Sequence, residues 1–196
     1  MAQGQLLAWA REERGSRRDY LLERFFEESD PEVRQRIRQI LEELVIELSE
    51  REGAGFLGIN MIPAQRQGVG VADGVVVSAV IKNTPADAGG LKVGDVILRI
   101  DELELNTVNP IEDLKSHIEG LRPGTKIRLE VRRGEEALIK EVKLMKRYDD
   151  RMFRQDFRNR RQIPFEVVPE NVERLQKEEF HQWLLEKRQG NLEGEG

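Results

Sequence analysis

A glycine-flanked apolar pair, Phe56-Leu57, is the stretch of this sequence whose residue types could hold a ligand through the main chain. Its glycines, Gly55 and Gly58, permit backbone conformations that a side chain would forbid. Such a turn can direct successive N–H groups toward an anion, for example a chain-terminal carboxylate. The apolar run at 59–62 then predicts a short strand at a sheet edge, where unpaired main-chain groups accept another chain. The alternative interpretation is a simple turn that enters a core strand.

Residue types that would support catalysis or metal binding are scarce. The chain has no cysteine and only two histidines, His117 and His181, which lie far apart in the sequence. A Ser-His-Asp triad needs a histidine close to an activated serine, and no serine here stands in a glycine-rich nucleophile turn. Lys115 and Ser116 are neighbours on a predicted helix and therefore point apart. We predict that the chain is not an enzyme and that it binds no metal and no cofactor.

The composition is that of a highly charged globular chain. With 196 residues it is long enough for one domain of typical size with flanking elements. Charged residues make up 35% and the formal net charge is −5, which argues against a general nucleic-acid-binding protein. The first ten residues lack the features of a signal peptide, and no apolar run approaches the ~18 residues of a membrane span. These features predict a soluble, cytoplasmic protein with no membrane span.

Residues 1–52 have the pattern of two helices joined by a short turn. Asp30 suits the N-cap of the second helix and Pro31 its first position. An apolar stripe at steps of three and four follows, and this helix should end near Arg51, before Gly53. The pair is similar to a single HEAT-type helical hairpin, which cannot bury its own apolar face. We therefore expect it to pack on the next domain, on a C-terminal helix, or on a second copy in a homodimer.

Residues 54–146 alternate short strands with two helices. The strand-like runs are rich in Val, Ile and Leu and are bounded by turn residues. The helices are predicted at Pro85–Ala88 and Pro110–Glu119. The pattern predicts an α+β fold, a small and partly open β-barrel with two helices, flanked by α-helical segments on both sides. The predicted strands are Leu57–Ile62, Gly74–Val80, Val96–Ile100, Lys126–Arg132 and Ala137–Met145.

Four motifs follow one another in this segment. Residues 56–59 (FLGI) match a carboxylate-binding loop, and residues 83–98 contain Pro-Ala, Gly-Leu and Gly-Asp-Val-Ile in that order. Residues 111–114 open a helix that ends before an Arg-Pro-Gly-Thr turn, and residues 131–134 belong to the last hairpin. At these separations the segment resembles a PDZ domain of the permuted bacterial kind found in HtrA-type proteases and carboxy-terminal processing proteases.

The resemblance implies a groove between the strand Ile59–Ile62 and the helix Ile111–Ile118. There the amides of residues 57–59 would bind the terminal carboxylate of a partner's extended segment, and Leu114 would face the core. Lys115 would either pair with an acidic group of the ligand or remain solvated, and Arg51 would support the carboxylate from just before the loop. The peptide-binding residues implied are Phe56, Leu57, Gly58, Ile59, Asn60, Met61, Ile62, Ile111, Lys115 and Ile118.

The remainder of the chain is predicted to be a helical extension over 147–189 and a disordered tail over 190–196. Arginines and aromatic residues alternate between 147 and 161, which would suit a nucleic acid or an acidic partner. Aspartates among them favour instead a helix that packs its aromatic side on the domain. An extended connector over 163–169 leads to a last helix, which we expect to pack on the N-terminal helices.

Three functional hypotheses remain from the sequence. The first is a non-catalytic adaptor or scaffold that binds C-terminal or extended peptide segments of a partner protein by β-strand addition. The second is a structural or oligomerisation module whose groove is filled by its own flanks, specifically by residues 163–169. The third is a regulatory fragment of a PDZ-containing serine protease.

Overall fold

The chain is described by a computed structural model that covers residues 3–12, 14–64, 73–148, 152 and 166–193. It divides into two compact units, one formed by Met1–Ser49 with Arg174–Gly196 and the other by Glu50–Glu173. Among the helices of the described residues, none has both the length and the apolar character needed to cross a membrane.

The first unit is helical, and its elements bury a common apolar core. Asp30 caps the third helix as predicted, because its carboxylate accepts hydrogen bonds from the amides of Glu32 and Val33 at 2.8 and 3.3 Å. The sequence predicted two helices before residue 53, whereas the described residues 3–12 and 14–49 contain three helical segments, and the third ends at Ser49 rather than near Arg51. The helices are α1 (Gln3–Glu12), α2 (Arg14–Glu27), α3 (Pro31–Ser49) and, from the far end of the chain, α6 (Pro169–Glu193).

The last helix closes this core, as the sequence predicted. Phe180 of α6 is 1% exposed and shares a cluster with the apolar stripe of α3, including Ile40 and Leu41. Ser49 Oγ, at the end of α3, donates a hydrogen bond to Glu179 of α6. Helix α6 continues to Glu193 and therefore includes residues 190–193, for which disorder was predicted. Residues 194–196 lie outside the described residues.

The second unit is an open sheet with two helices, which confirms the predicted fold class. The principal sheet has the order β2-β3-β4-β6-β7, with β5 paired to β4, and a separate antiparallel pair joins β1 to β8. The sheet does not close into a barrel. The strands are β1 (Gly55–Phe56), β2 (Ile59–Pro63), β3 (Val75–Val80), β4 (Val96–Ile100), β5 (Leu103–Glu104), β6 (Lys126–Arg133), β7 (Glu136–Lys143) and β8 (Met145–Lys146), and the helices are α4 (Pro85–Ala88) and α5 (Pro110–Gly120).

The core of this unit lies between the sheet and α5. Leu114 of α5 is fully buried in it, together with Ile97 of β4 and Leu129 of β6. Alternation along the strands explains the burial, since every second residue of β6, for example Ile127, Leu129 and Val131, points inward. Leu114 faces the core as predicted, and Lys115 and Ile118 line a pocket with residues of β1 and β2.

A buried ion pair ties the turn before β4 to the end of β6. Asp95 is fully buried and accepts two hydrogen bonds from the guanidinium of Arg133, at 2.7 and 2.9 Å, and one from the amide of Lys92 at 2.9 Å. The same guanidinium donates to the carbonyl of Gly90 at 2.9 Å. Burial by itself raises the pKa of the Asp95 carboxyl, but the bonds from Arg133 and Lys92 and the nearby positive charges hold that pKa below its usual value.

Candidate functional site

A groove runs between strand β2 and helix α5. Strand β2 is the end strand of the principal sheet, antiparallel to β3 on one side. Helix α5 packs beside β1 and β2. The side of β2 away from β3 therefore offers main-chain N–H and C=O groups that can pair with an extended chain.

The loop between β1 and β2 is held in place through its carbonyl groups. The carbonyl of Leu57 accepts a hydrogen bond from the amide of Ala86 at 2.9 Å, and the carbonyl of Gly58 accepts one from the amide of Ile81 at 2.9 Å. Among the described residues, the amides of Leu57 and Gly58 themselves donate to no protein acceptor. With the carbonyls fixed against the domain, these two N–H groups suit an anion at the end of the groove.

Gly58 is required by this geometry for two reasons. Its φ of +89° lies in the left-handed region, which residues with a side chain rarely adopt. A Cβ at this position would also overlap Cβ and Oγ1 of Thr84. Thr84 is buried and is itself held by a hydrogen bond from its hydroxyl to the carbonyl of Ile81 at 2.6 Å.

An apolar pocket opens beneath the loop. Its volume is about 140 Å³, close to the ~150 Å³ of a cavity that accommodates benzene. Leu57 and Ile118, which are 3% and 6% exposed, form its apolar walls with Ile59. The pocket therefore has room for one aliphatic or small aromatic side chain. The lining residues are Gly55, Phe56, Leu57, Gly58, Ile59, Met61, Lys115, Ile118, Glu119 and Arg147.

Seven of the ten peptide-binding residues implied by the sequence resemblance line this pocket. The three others lie elsewhere: Asn60 and Ile62 are exposed on β2, and Ile111 packs against the core of the unit. Asn60 and Ile62 belong to the edge strand itself, so they remain candidates for main-chain contact with a ligand. The role of all ten residues in binding stays a prediction.

Arg51, the predicted carboxylate support, is exposed in the segment before β1 and is not one of the residues that line the pocket. The predicted role of Arg51 stays a prediction. Arg147 does line the pocket, and its guanidinium carbon lies 5.3 Å from the centre of the Phe56 ring. The amide of Arg147 donates to the carbonyl of Ala54 at 3.3 Å, which continues the pairing of β8 with β1.

The sequence patterns did not predict Arg147 and Glu119 as lining residues. Arg147 had been assigned to the arginine-rich tail, because nothing in the local pattern shows that Lys146 pairs with Gly55. Glu119 follows Ile118 on α5, and no sequence motif indicates that it lines a pocket. On the same wall, Lys115 has a side chain that is 49% exposed and lies 4.0 Å from a carboxylate oxygen of Glu112. The pocket rim thus carries two cations, Lys115 and Arg147, and one anion, Glu119.

An edge strand, a neighbouring helix and a glycine loop with inward carbonyls together form the arrangement with which a domain adds an extended chain to its sheet. The family model described as "PDZ domain" matches residues 55–144. This range contains the loop, β2 and α5. The segment 55–144 therefore matches the PDZ domain family, as its motifs predicted.

Two curated relatives share this part of the chain. The "probable periplasmic serine endoprotease DegP-like" of Pseudomonas fulva (strain 12-X) is 35% identical over 101 residues, which cover 48% of this chain and 20% of that protein. The protein of the same description in Ectopseudomonas mendocina (strain ymp) is 33% identical over 100 residues, again 20% of its length. The match thus spans about a fifth of these relatives. Because both are described as periplasmic, the prediction of a cytoplasmic location is wrong.

Solved structures of HtrA-type proteins are also similar. The HtrA-type protease AlgW with a decapeptide is 26% identical, with a TM-score of 0.42 over 57% of this chain and 35% of that one. The HtrA3 PDZ domain bound to a phage-derived ligand (FGRWV) is 24% identical, with a TM-score of 0.37 over 47% of this chain and 87% of that one.

Proposed function

We propose that this chain binds the C-terminal segment of a partner protein in the groove between β2 and α5, and that it acts as an adaptor without catalytic activity of its own. Three features that lie side by side in the second unit support the proposal. The edge of β2 offers main-chain groups for pairing, and the pocket of Leu57, Ile59 and Ile118 can take an apolar side chain. The amides of the loop between β1 and β2 can donate hydrogen bonds to a terminal carboxylate.

The binding mode follows from these features. The ligand would add a strand antiparallel to β2, its last side chain would enter the pocket, and its carboxylate would lie at the amides of Leu57 and Gly58. Main-chain hydrogen bonds contribute about 1 kcal/mol each, and burial of a terminal Val or Leu side chain contributes ~1.5–3 kcal/mol. Against the entropy of association, these terms support a dissociation constant in the micromolar range, about −8 kcal/mol.

The alternative of a groove filled by the protein's own connector is less favoured. Glu166 forms a parallel bridge with Lys82, and Val167 is 3% exposed there, with its carbonyl accepting a hydrogen bond from Asn83 Nδ2 at 2.9 Å. The described part of the connector therefore packs on the segment after β3, away from the pocket lining. Residues 163–165 of this hypothesis lie outside the described residues.

A second candidate function is that of a regulatory part of a larger serine protease system. It is favoured by the DegP-like relatives, of which the matching region is about a fifth. Their description also supports a place in the periplasm for this chain. In this case the groove would read peptide ends for a catalytic unit on another part of that system.

The proposal can be tested by fluorescence anisotropy with the full chain and labelled peptides. A set of peptides should differ only in the last residue, for example Val, Leu, Phe, Gly or Asp, and each should be made with a free and an amidated end. We expect micromolar binding of the apolar-ended peptides with a free carboxylate and clear loss of affinity on amidation. No binding of any peptide, or equal binding of all of them, would contradict the proposal. A protease assay with unfolded substrates would separately test the absence of catalysis.

A further inference from the structure

We propose that strand β7 is a dimerisation edge, at which two copies of this chain pair antiparallel around Ile139. The proposal goes beyond the peptide-binding function and does not depend on it, because β7 and the groove strand β2 are the opposite end strands of the principal sheet. It places the contact between copies in the second unit, on a surface different from the helical faces that the sequence favoured.

The outer edge of β7 offers a row of main-chain groups. Arg133 pairs with Glu136 across a two-residue turn, so these two residues exchange hydrogen bonds with each other. Hydrogen-bonded and non-hydrogen-bonded pairs alternate from there, which directs the N–H and C=O groups of every second residue of β7 away from β6. Within the described part of the chain, these outward groups form no backbone hydrogen bond. The outward residues are Ala137, Ile139, Glu141 and Lys143.

The side chains of the same four residues are exposed on one face of β7, whereas Val142 of the opposite face is buried. Ile139 is the largest apolar side chain of this exposed face and is 59% exposed. It lies in the middle of the strand, with charged residues toward both ends of the edge. Sheets use such charges to prevent unspecific pairing at an open edge. A matching arrangement of the charges would instead make the pairing specific.

A second copy of the chain supplies the matching arrangement. In a two-fold antiparallel pair centred on Ile139, the two Ile139 side chains stand opposite each other, and Lys143 of each copy stands opposite the partner's Glu135. Lys143 and Glu135 are both exposed, and among the described residues neither of them forms an ion pair or a hydrogen bond through its side chain. Both charges are therefore available to a partner.

The neighbouring registers bring like charges together. Centring the pair on Lys140 sets this lysine opposite its own copy, and centring it on Glu141 sets this glutamate opposite its own copy. Centring it on Leu138 sets Glu141 opposite the partner's Glu135. Like charges directly opposite each other destabilise an antiparallel pair. Of these four registers, only the one centred on Ile139 brings opposite charges together and no like charges.

The proposed dimer leaves both grooves open. The two principal sheets would join through β7 into one continuous sheet, with strand β2 of each copy at a far end. A single pair of edge strands buries little area compared with the ~1,200–2,000 Å² of a stable interface. We therefore expect a weak and reversible dimer, which would present two peptide-binding grooves to a partner that carries two peptide ends.

The test is analytical ultracentrifugation of the full chain over a concentration series, with charge-reversal variants. Lys143→Glu and Glu135→Lys would each set like charges opposite each other at both ends of the dimer. Opposite charges are restored in the double variant and also in an equimolar mixture of the two single variants. Glu102→Lys, in the exposed turn between β4 and β5, is the control, because it changes the net charge by the same amount away from β7.

We expect each single variant to raise the dissociation constant of the dimer by about tenfold. The double variant and the mixture should return to within about threefold of the wild type, and Glu102→Lys should behave like the wild type. Amide hydrogen exchange gives a second measurement. As the concentration of the wild-type chain rises, the amides of Ala137, Ile139 and Glu141 should become protected.

A wild-type chain that stays monomeric up to about 1 mM would overturn the inference. So would a dimer in which the outward amides of β7 stay unprotected, because the copies would then meet at another surface, such as the helical unit. Single variants that associate like the wild type, or losses that neither the double variant nor the mixture restores, would overturn the register. All of these results leave the proposed peptide binding untouched, since it is measured separately.

Discussion

Single residues set the geometry of the loop between β1 and β2, and Gly58 does so most directly. Its left-handed backbone turns the carbonyls of residues 57 and 58 toward Ala86 and Ile81, which leaves the amides for a ligand. The missing side chain also lets the loop approach Thr84 closely. The two effects act together, because a side chain would have to change the φ angle and displace Thr84 at once.

We expect Gly58→Ala to abolish measurable peptide binding and to lower the free energy of unfolding of the second unit by about 1–3 kcal/mol. The matched control is Gly120→Ala at the end of α5, where an added Cβ meets no atom within 4 Å and φ is not positive. Peptide titration and amide hydrogen exchange of strand β2 would measure both effects. A Gly58→Ala variant that binds like the wild type would show that the loop does not hold the ligand.

Asp95 contributes to the stability of the second unit, and this contribution depends on pH. Its folded-state pKa is depressed, so the unfolded state binds a proton more readily than the native state does. The stabilisation is therefore complete above the ordinary carboxyl pKa of about 3.9 and is lost as the pH falls through the lower, folded-state value.

We expect Asp95→Asn to destabilise the second unit at neutral pH, since it removes the buried carboxylate that accepts two hydrogen bonds from Arg133. As the pH falls below about 3.9, the variant should lose less stability than the wild type does. Hydrogen exchange of amides in β4 and β6, followed as a function of pH, would measure the stability of the second unit. Glu135→Gln in the exposed β6–β7 turn is the control. Identical pH dependence in wild type and Asp95→Asn would contradict the assignment.

At the scale of elements, the sequence predicted what local patterns determine. The alternation of Ile127, Leu129 and Val131 defined β6, and the Asn109-Pro110 start defined α5 with Leu114 inward. Strand β5 was missed because it has two residues and forms only through its pairing with β4. The pairing of β1 with β8 is equally non-local, and for this reason the sequence did not predict that Arg147 lines the pocket.

Helix α6 is the element whose packing can be tested most simply. Phe180 is 1% exposed and stacks at 6.1 Å on Trp183, and both tryptophans, Trp9 and Trp183, belong to the helical unit. We expect Phe180→Ala to destabilise this unit by ~3–5 kcal/mol in denaturation followed by tryptophan fluorescence. Leu185→Ala, at a side chain that is 40% exposed, should have a small effect. Equal effects of the two changes would contradict the packing of α6 in the core.

At the scale of the whole molecule, the chain forms two compact units. One contains the groove between β2 and α5, and the other is helical. The sequence argument for a homodimer was that a helical pair could not bury its own apolar face. Within the helical unit, Ile37, Ile40 and Leu44 of α3 are buried by other elements of the same chain. Burial of these residues therefore does not require a second copy of the chain. Homodimerisation through these helices remains a prediction from the sequence.

The central claim is that a partner's C-terminal segment occupies the groove between β2 and α5. An amide-resolved NMR titration of the full chain with an apolar-ended free-acid peptide tests it most directly. The claim predicts the largest shift changes at Leu57, Gly58 and the amides of β2, followed by the groove side of α5 and Arg147. Changes confined to the helical unit, or none at a peptide concentration well above the micromolar range, would contradict it.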